Sequence, residues 1–262
     1  MNSQSHQGKR IMDFVIVENR HIHSLYSLLI LETAAGAELP SVEPGQFVQV
    51  AVPGSRDTFL RRPISINYVD PDRRRLWLLV RRAGEGTAAL ISMHAGERLN
   101  IVLPLGRGFT MPEVGERVLL VGGGVGVAPL LYLGYRMQEV GVAPHFLLGA
   151  RTVADLLEVE QFEALGEVSI ATDDGSAGVK GVVTRHPVMN EHFDRVYCCG
   201  PSPMMKAVAV SARRSRSACE VSLENMMACG IGACLCCVEK TVKGNVCVCT
   251  EGPVFNTDQL TW

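Results

Sequence analysis

Val118-Leu119-Leu120-Val121-Gly122-Gly123-Gly124-Val125-Gly126-Val127-Ala128-Pro129 is the stretch on which the reading of the fold turns. Four successive apolar residues form a buried-strand run, the glycines form a loop, and the residues through 140 continue as a helix. Such a loop lets a pyrophosphate approach the backbone, with the helix N-terminus facing its negative charge. It departs from G-x-G-x-x-G, since Val127 takes the third glycine's place, and a tight structural turn is the plainer alternative. Residues 118–135 are also the longest uncharged run. Their five glycines and one proline point to strand, loop and helix, not to a membrane span.

Downstream, His145-Phe146-Leu147-Leu148-Gly149 reads as a second strand and residues 153–165 as a second helix with Thr152 as its N-cap. Val168-Ser169-Ile170-Ala171 and Arg195-Val196-Tyr197-Cys198 read as further strands. Ser202-Pro203 opens another helix, a capping residue followed by proline at the first helical position. Arg213-Arg214-Ser215-Arg216 suits its C-terminal end, where the helix dipole favours cations. Strands alternating with helices predict a doubly wound parallel sheet.

Upstream, short apolar runs such as Phe47-Val48-Gln49-Val50-Ala51-Val52, Ile64-Ser65-Ile66 and Leu76-Trp77-Leu78-Leu79-Val80 alternate with turn signals. Those signals include Glu43-Pro44-Gly45, Pro53-Gly54 and Asp70-Pro71-Asp72, and the pattern predicts a small antiparallel β-barrel. Arg73-Arg74-Arg75 beside the last turn reads as solvated. The class expected is β plus α/β, divided as a barrel over 10–108, an α/β unit over 112–217 and a small C-terminal unit over 218–262.

The 262 residues suit about two domains and a small appendage. Twenty-five Lys and Arg against 27 Asp and Glu leave a net charge of -2, which offers no field for nucleic acid or an anionic membrane. The N-terminal MNSQSHQGKR is polar and lacks the apolar core of a secretory signal, so a cytoplasmic protein is expected. Of nine cysteines, seven lie at or after Cys219, an odd-numbered cluster that reads poorly as a disulfide framework. The seven histidines are scattered and match no metal or catalytic pattern.

The tail carries Cys229, Cys234, Cys237 and Cys249 in the order C-x4-C-x2-C-x11-C, the plant-type [2Fe–2S] spacing with a shortened last gap. Gly230 and Gly232 let the backbone wrap close and aim N–H groups at the sulfurs. Cys236 and Cys247 compete for the assignment. Cys247 and Cys249 share one face of a strand, so spacing alone does not choose between them. A structural zinc ribbon is the rival, but zinc usually shows two C-x2-C pairs and only one clean pair is present. A bound centre would supply the stability that so short and cysteine-rich a tail lacks.

In the barrel segment, Arg62-Pro63-Ile64-Ser65 places an arginine where it can clamp a pyrophosphate in two-pronged fashion, with a serine able to donate to a flavin ring. An ordinary edge strand with exposed basic residues is the alternative. Arg81-Arg82-Ala83-Gly84-Glu85-Gly86-Thr87 adds a second glycine-rich element with a cation.

Arg62 to Ser65 in a barrel, followed by GGGxGxxP at 122–129, resembles the ferredoxin–NADP reductase superfamily. There R-x-x-S holds a flavin and the glycine loop holds a nicotinamide nucleotide. Most members have an aromatic residue where Ile64 stands. Residues 222–234 and the ending Cys249-Thr250-Glu251-Gly252-Pro253-Val254-Phe255 resemble one branch, the electron-transfer subunits of two-subunit, NAD-dependent dihydroorotate dehydrogenases. The resemblance spans residues 45–255, and alignment on Glu-Gly-Pro-Val-Phe selects Cys249 as the fourth ligand.

The resemblance implies an oxidoreductase subunit of de novo pyrimidine biosynthesis with FAD, a [2Fe–2S] cluster and NAD as cofactors. Its implied partner is an FMN-containing dihydroorotate dehydrogenase catalytic subunit, in a heterotetramer of two catalytic and two electron-transfer subunits. Electrons would pass from that FMN through the cluster and FAD to NAD+. It implies Arg62 on the FAD pyrophosphate and Ser65 at the isoalloxazine, with Pro63 and Ile64 among the cofactor-binding residues. Leu79, Val80 and Arg81 would lie along the FAD, with Gly86 and Thr87 at its phosphates. Gly123, Gly124 and Gly126 would admit NAD, with Cys199 and Gly200 beside the nicotinamide, unless Cys199 is simply a packed thiol. Glu224 either orients the nicotinamide or caps a turn, and Met226 and Met227 pack, at the partner surface in one reading. Two rivals stand: an NAD(P)H reductase subunit for a hydrogenase, a sulfite reductase or a ferredoxin couple, and a zinc-stabilised nucleotide-binding module without redox activity. Arg151, after the second strand, could meet a 2′-phosphate, so NADP stays open on the residues alone.

Overall fold

The computed structural model describes residues 8–54 and 58–262, so the part of the N-terminal reading that rests on residues 1–7 lies outside the described residues. The first unit is an antiparallel sheet of β1 (Arg10–His23), β2 (Tyr26–Thr33), β3 (Phe47–Val50), β4 (Arg62–Ser65), β5 (Tyr68–Asp70), β6 (Arg75–Arg81) and β7 (Arg98–Leu105), with helix α1 (Glu85–Ile91). Its ladder order is β4-β3-β7-β1-β2-β6-β5. The two edge strands, β4 and β5, are separated by only Ile66 and Asn67 along the chain. The sheet must therefore curl until its edges approach, and it does so without a β4–β5 ladder among the described residues: a half-barrel. Side chains alternate, so that Val48, Val50, Ile64 and Leu78 fill the interior with Leu99 and Ile101. The arginines at the β5–β6 turn are less free than expected. Arg74 donates to the Gly36 carbonyl (3.1 Å) and Arg75 pairs with Glu32 (3.0 Å).

The second unit contains β8 (Val118–Gly123), α2 (Ala128–Glu139), β9 (His145–Ala150), α3 (Val159–Glu163), β10 (Glu167–Thr172), β11 (Val179–Lys180), β12 (Arg195–Cys199), α4 (Ser202–Ser215) and β13 (Ala218–Ser222). The sheet runs β11-β10-β9-β8-β12-β13 and is parallel throughout. The chain winds outward from β8 to one side and then, from β12, to the other. Helix α4 buries Met205, Val208, Ala209 and Ala212, an i, i+3, i+4, i+7 stripe, against Leu119 and Val121. Helix α2 covers the opposite face, where Leu120, Phe146 and Tyr197 lie. The sheet is thus doubly wound, and β8 and β12 flank the point where strand order reverses. Helix α4 takes Ser202 and Pro203 as its first two residues, leaving Pro201 at the cap position.

The expected helix over 153–165 is a correction. The segment forms a 3-10 turn, Val153–Asp155, and the separate short α3. Thr152 caps no backbone N–H; its hydroxyl donates to the Asp155 carboxylate (3.0 Å). Between the two pieces Leu157 is buried, and Glu158 adopts a left-handed φ of 55°. That turn lets the Glu158 carboxylate reach across to the barrel, where Asn67 Nδ2 donates to it at 2.9 Å and to the Ala128 carbonyl at 3.3 Å. A tertiary contact has overridden helical propensity.

Glu158 has one oxygen with no partner among the described residues, and burial pushes its carboxyl up to about 7 from 4.5, with the Asn67 bond and Arg20 pulling the other way. Tyr135 feels its charge from α2. A folded-state pKa raised above the unfolded value means that the folded protein holds the proton longer. The stability that Glu158 contributes is therefore fully present below pH 4.5 and is lost as pH rises through about 7, by about 3 kcal/mol at most. Glu158→Gln keeps the Asn67 bond and removes the charge. Thermal melts should show it stabilised by roughly 4–8 °C at pH 8 and unchanged at pH 4.5.

The tail adds a hairpin, β14 (Val238–Thr241) and β15 (Gly244–Cys247), then α5 (Val248–Glu251) and β16 (Val254–Asn256). β16 returns to pair antiparallel with β13, Val221 opposite Phe255, and becomes the edge of the parallel sheet. Arg107 at the end of the barrel donates its backbone N–H to the Gly252 carbonyl (2.5 Å) and pairs its guanidinium with Glu251 (2.8 Å). The Glu251–Phe255 ending thus ties the cysteine tail to both preceding units. No helix among the described residues is long and apolar enough to cross a membrane.

Candidate functional site

The glycine loop leaves the C-terminal end of β8 beside the end of β12, with Gly122 opposite Cys199. Gly126 packs so closely on the Cys199 carbonyl that a Cβ has no room, and Gly123 lies against the flexible end of the Met204 side chain. Together they floor a cleft of about 530 Å³ walled by Gly200 and Pro201 on one side and by Arg81 and Tyr26 of the barrel on the other. Arg151, Asp155 and Asp173 stand toward its β9–β10 end. Cys199 does not line the cleft. It is 1% exposed, packed beneath the loop, and burial raises its thiol far above the ordinary range. Glu224 does line the cleft: water reaches it, yet the surrounding walls raise its carboxyl, and only Arg81 opposes that. A glycine backbone lining the cleft, with a helix behind it, fits a dinucleotide pyrophosphate.

Arg62, Pro63, Ile64 and Ser65 form β4, and the Arg62 side chain lies directly on Gly86, where any Cβ would collide with it. The Gly86 segment and the β4 arginine, distant in sequence, therefore make one surface. Arg62 has no carboxylate partner among the described residues, whereas its neighbour Arg61 is spent on the Asn100 carbonyl (2.8 Å), the Asn100 side chain and the Gln49 carbonyl. A guanidinium with no carboxylate partner among the described residues, packed on a glycine at the start of a helix, fits a phosphate-bearing flavin. Ser65 and Pro63 are half-buried, Ile64 packs inward at 9% exposure, and Leu79 and Val80 are buried, so those three present backbone only. The Thr87 hydroxyl accepts from Ala83 and Gly84 N–H (2.8 and 3.1 Å) and holds the start of α1.

In the tail, Gly230 and Gly232 take φ of 70° and 85°, and the loop they turn directs its N–H groups at sulfur. Ile231 N–H donates to Cys229 Sγ (3.4 Å), Gly232 N–H to Cys249 Sγ (3.1 Å) and Cys249 N–H to Cys237 Sγ (3.4 Å). Cys229 stands beside Cys234, and Cys237 beside Cys249. Two irons bridged by sulfide take two thiolates each, so two facing pairs fit a binuclear cluster. Burial works against ionising Cys229, but the N–H groups of Ile231, Cys234 and Ala233 outweigh it and bring the thiol to about 6. Cys247 also touches Cys237, yet no backbone N–H among the described residues donates to it. The chain does not continue as a strand past Cys247. Cys249 sits in α5, and this turn, not strand alternation, aims it at Gly232. Cys236 is exposed.

The sequence reading passed over Tyr26, whose ring forms the barrel wall of the cleft, and Gln49, which is buried against Gly230. Neither has a local signal; only the packing of distant segments exposes them.

Half-barrel, doubly wound sheet with a glycine cleft, and a thiol-paired loop define an electron-transferring oxidoreductase of ferredoxin-reductase-like fold. A structure described as an NADH-dependent reduced ferredoxin–NADP oxidoreductase superposes with a TM-score of 0.85 at 30% identity, covering 95% of this chain and 90% of that one. An Amycolatopsis cytochrome P450 reductase gives 0.68 at 25% identity, over 79% and 67%. Residues 224–261 match the family model "iron-sulfur cluster binding domain of dihydroorotate dehydrogenase B". The dihydroorotate dehydrogenase B (NAD(+)) electron transfer subunit of Shouchella clausii is 44% identical over 227 residues, 83% of this chain and 86% of the relative. That of Desulforamulus reducens is 42% identical over 229 residues, 84% and 87%. The chain belongs to the family of dihydroorotate dehydrogenase B (NAD+) electron-transfer subunits.

Proposed function

We propose that this chain carries electrons from a dihydroorotate-oxidising, FMN-containing catalytic subunit to NAD+ in pyrimidine biosynthesis, in a cytoplasmic heterotetramer of two catalytic and two electron-transfer subunits. Cys229, Cys234, Cys237 and Cys249 hold a [2Fe–2S] cluster. Arg62 clamps the pyrophosphate of FAD, with Pro63, Ile64, Ser65, Leu79, Val80, Arg81, Gly86 and Thr87 along it. Gly123, Gly124, Gly126 and Gly200 receive NAD, with Cys199 packed below. The three units over 10–108, 112–217 and 218–262 correspond to these tasks, although Ala218–Ser222 lies in the parallel sheet by its ladder. A flavin exchanges electrons singly or in pairs, which is the chemistry needed between a one-electron cluster and a two-electron nicotinamide.

The observation that carries this reading is the barrel's double contact. Phe47 of β3 shares a core with Cys237 and Cys249, while Tyr26 and Arg81 line the glycine cleft. This supports a flavin held on the barrel between thiols and nucleotide. Met226, Ile231 and Leu235 leave the cysteine loop with an exposed apolar rim (83%, 49% and 65% exposed), which supports a protein partner seated over the cluster. Asp155 and Asp173 beside Arg151 favour a ribose diol over a 2′-phosphate, hence NAD.

The test is to co-express the chain with a candidate catalytic subunit, purify the complex, measure its mass, and record its visible spectrum during additions of dihydroorotate and then NAD+. Bleaching followed by recovery is expected. A coloured protein that ignores dihydroorotate and is bleached by NADPH would move it to another reductase branch. A colourless protein containing zinc would end the redox reading.

A further inference from the structure

Gln49 lies in β3 with no exposed surface, and neither its Oε1 nor its Nε2 has a hydrogen-bond partner among the described residues. Native proteins rarely leave both ends of a buried amide unpaired. Its backbone lies within the sheet, opposite Pro63 in the β3–β4 ladder and Val102 in β3–β7, and its carbonyl accepts from Arg61 Nη1 at 3.3 Å. The side chain leaves the barrel toward the cysteine loop. Gln49 Cγ and Nε2 lie 2.7 and 2.8 Å from where a Cβ on Gly230 would stand, so the amide rests on the backbone immediately after Cys229. Phe47, two residues away on the same face of β3, shares its core with Cys237 and Cys249. Pro63, opposite Gln49, belongs to the strand that presents Arg62 and Ser65. Gln49 therefore occupies the seam between the flavin strand and the cysteine loop.

We propose that the Gln49 amide donates a hydrogen bond to sulfur at the Cys229 side of the iron–sulfur cluster and thereby raises the cluster's reduction potential. Reduction adds a negative charge that is shared with the sulfurs. A donor aimed at them stabilises the reduced form more than the oxidised one, and hydrogen bonds to sulfur are among the determinants of these potentials. Gln49 is a positioning and tuning residue. The inference rests on the cysteine loop holding a [2Fe–2S] cluster, as proposed above.

Gln49→Met fills a similar volume without a donor. In the purified complex, redox titration followed by electron paramagnetic resonance should show reduction of the variant cluster disfavoured about tenfold. For a one-electron couple that is a fall of about 59 mV in midpoint. The flavin midpoint should stay where it was. An unchanged cluster midpoint, or a shift confined to the flavin, would overturn the proposal. If Gln49→Met takes up no cluster, wild-type protein labelled with 15N in its glutamine side chains decides the matter. Pulsed resonance on the reduced cluster should detect a coupled 15N nucleus, and its absence overturns the proposal. A wild-type complex with no reduced-cluster signal at all would instead remove the cluster reading on which the inference rests.

Discussion

Cys249→Ala is expected to yield protein almost free of iron, while Cys247→Ala and Cys236→Ala retain about two irons per chain, the content of a binuclear cluster. Cys249 is fully buried, receives the Gly232 N–H, and passes its own N–H to Cys237 Sγ, so it joins both halves of the loop. Cys247 ends the β14–β15 hairpin and has none of these donors among the described residues. Loss of the centre should also loosen the tail, because the free energy of binding a structural centre is also free energy of folding. Iron analysis and visible absorption check the contrast. Iron lost with Cys247 and kept without Cys249 would reverse the ligand assignment.

The second large effect concerns Arg62. Its guanidinium has no carboxylate partner among the described residues and lies on Gly86. Two charge-assisted hydrogen bonds to a pyrophosphate contribute roughly 3–5 kcal/mol. Arg62→Ala should therefore weaken FAD binding by about 10²- to 10⁴-fold and release flavin on gel filtration. Arg62→Lys keeps the charge but not the fork, and should recover only part of the affinity. Arg61→Ala is the informative control. Arg61 ties β4 to Asn100 and to the Gln49 carbonyl, so its loss should lower the melting temperature more than the flavin affinity. Flavin fluorescence titrations and melts separate the two. Equal flavin loss in both variants would deny Arg62 a specific role.

Local patterns accounted for much of the architecture. The apolar run, glycine loop and helix at 118–140 form β8 and α2 as their periodicity required. Short alternating runs upstream became the strands of the half-barrel, and the C-x4-C-x2-C loop has the left-handed glycines and sulfur-directed N–H groups its spacing called for. Helical propensity failed at 153–165, where Leu157 is drawn into the core and Glu158 turns to meet Asn67, ninety-one residues earlier in the chain. The fourth thiol could not be singled out by period-two reasoning, because α5 begins at Val248 and changes the direction of every side chain after it.

By itself, then, the sequence determined the order of units, the phosphate-cradling loop and the binuclear cysteine spacing, because each is read from patterns among residues near one another in the chain. Tertiary structure alone decided that Arg61 and not Arg62 is tied to Asn100, that β16 closes the sheet edge beside β13, and that Gln49 lies against Gly230. These follow from contacts between segments tens to hundreds of residues apart. No local periodicity carries them, and they are set only when burial of apolar faces brings the three units together.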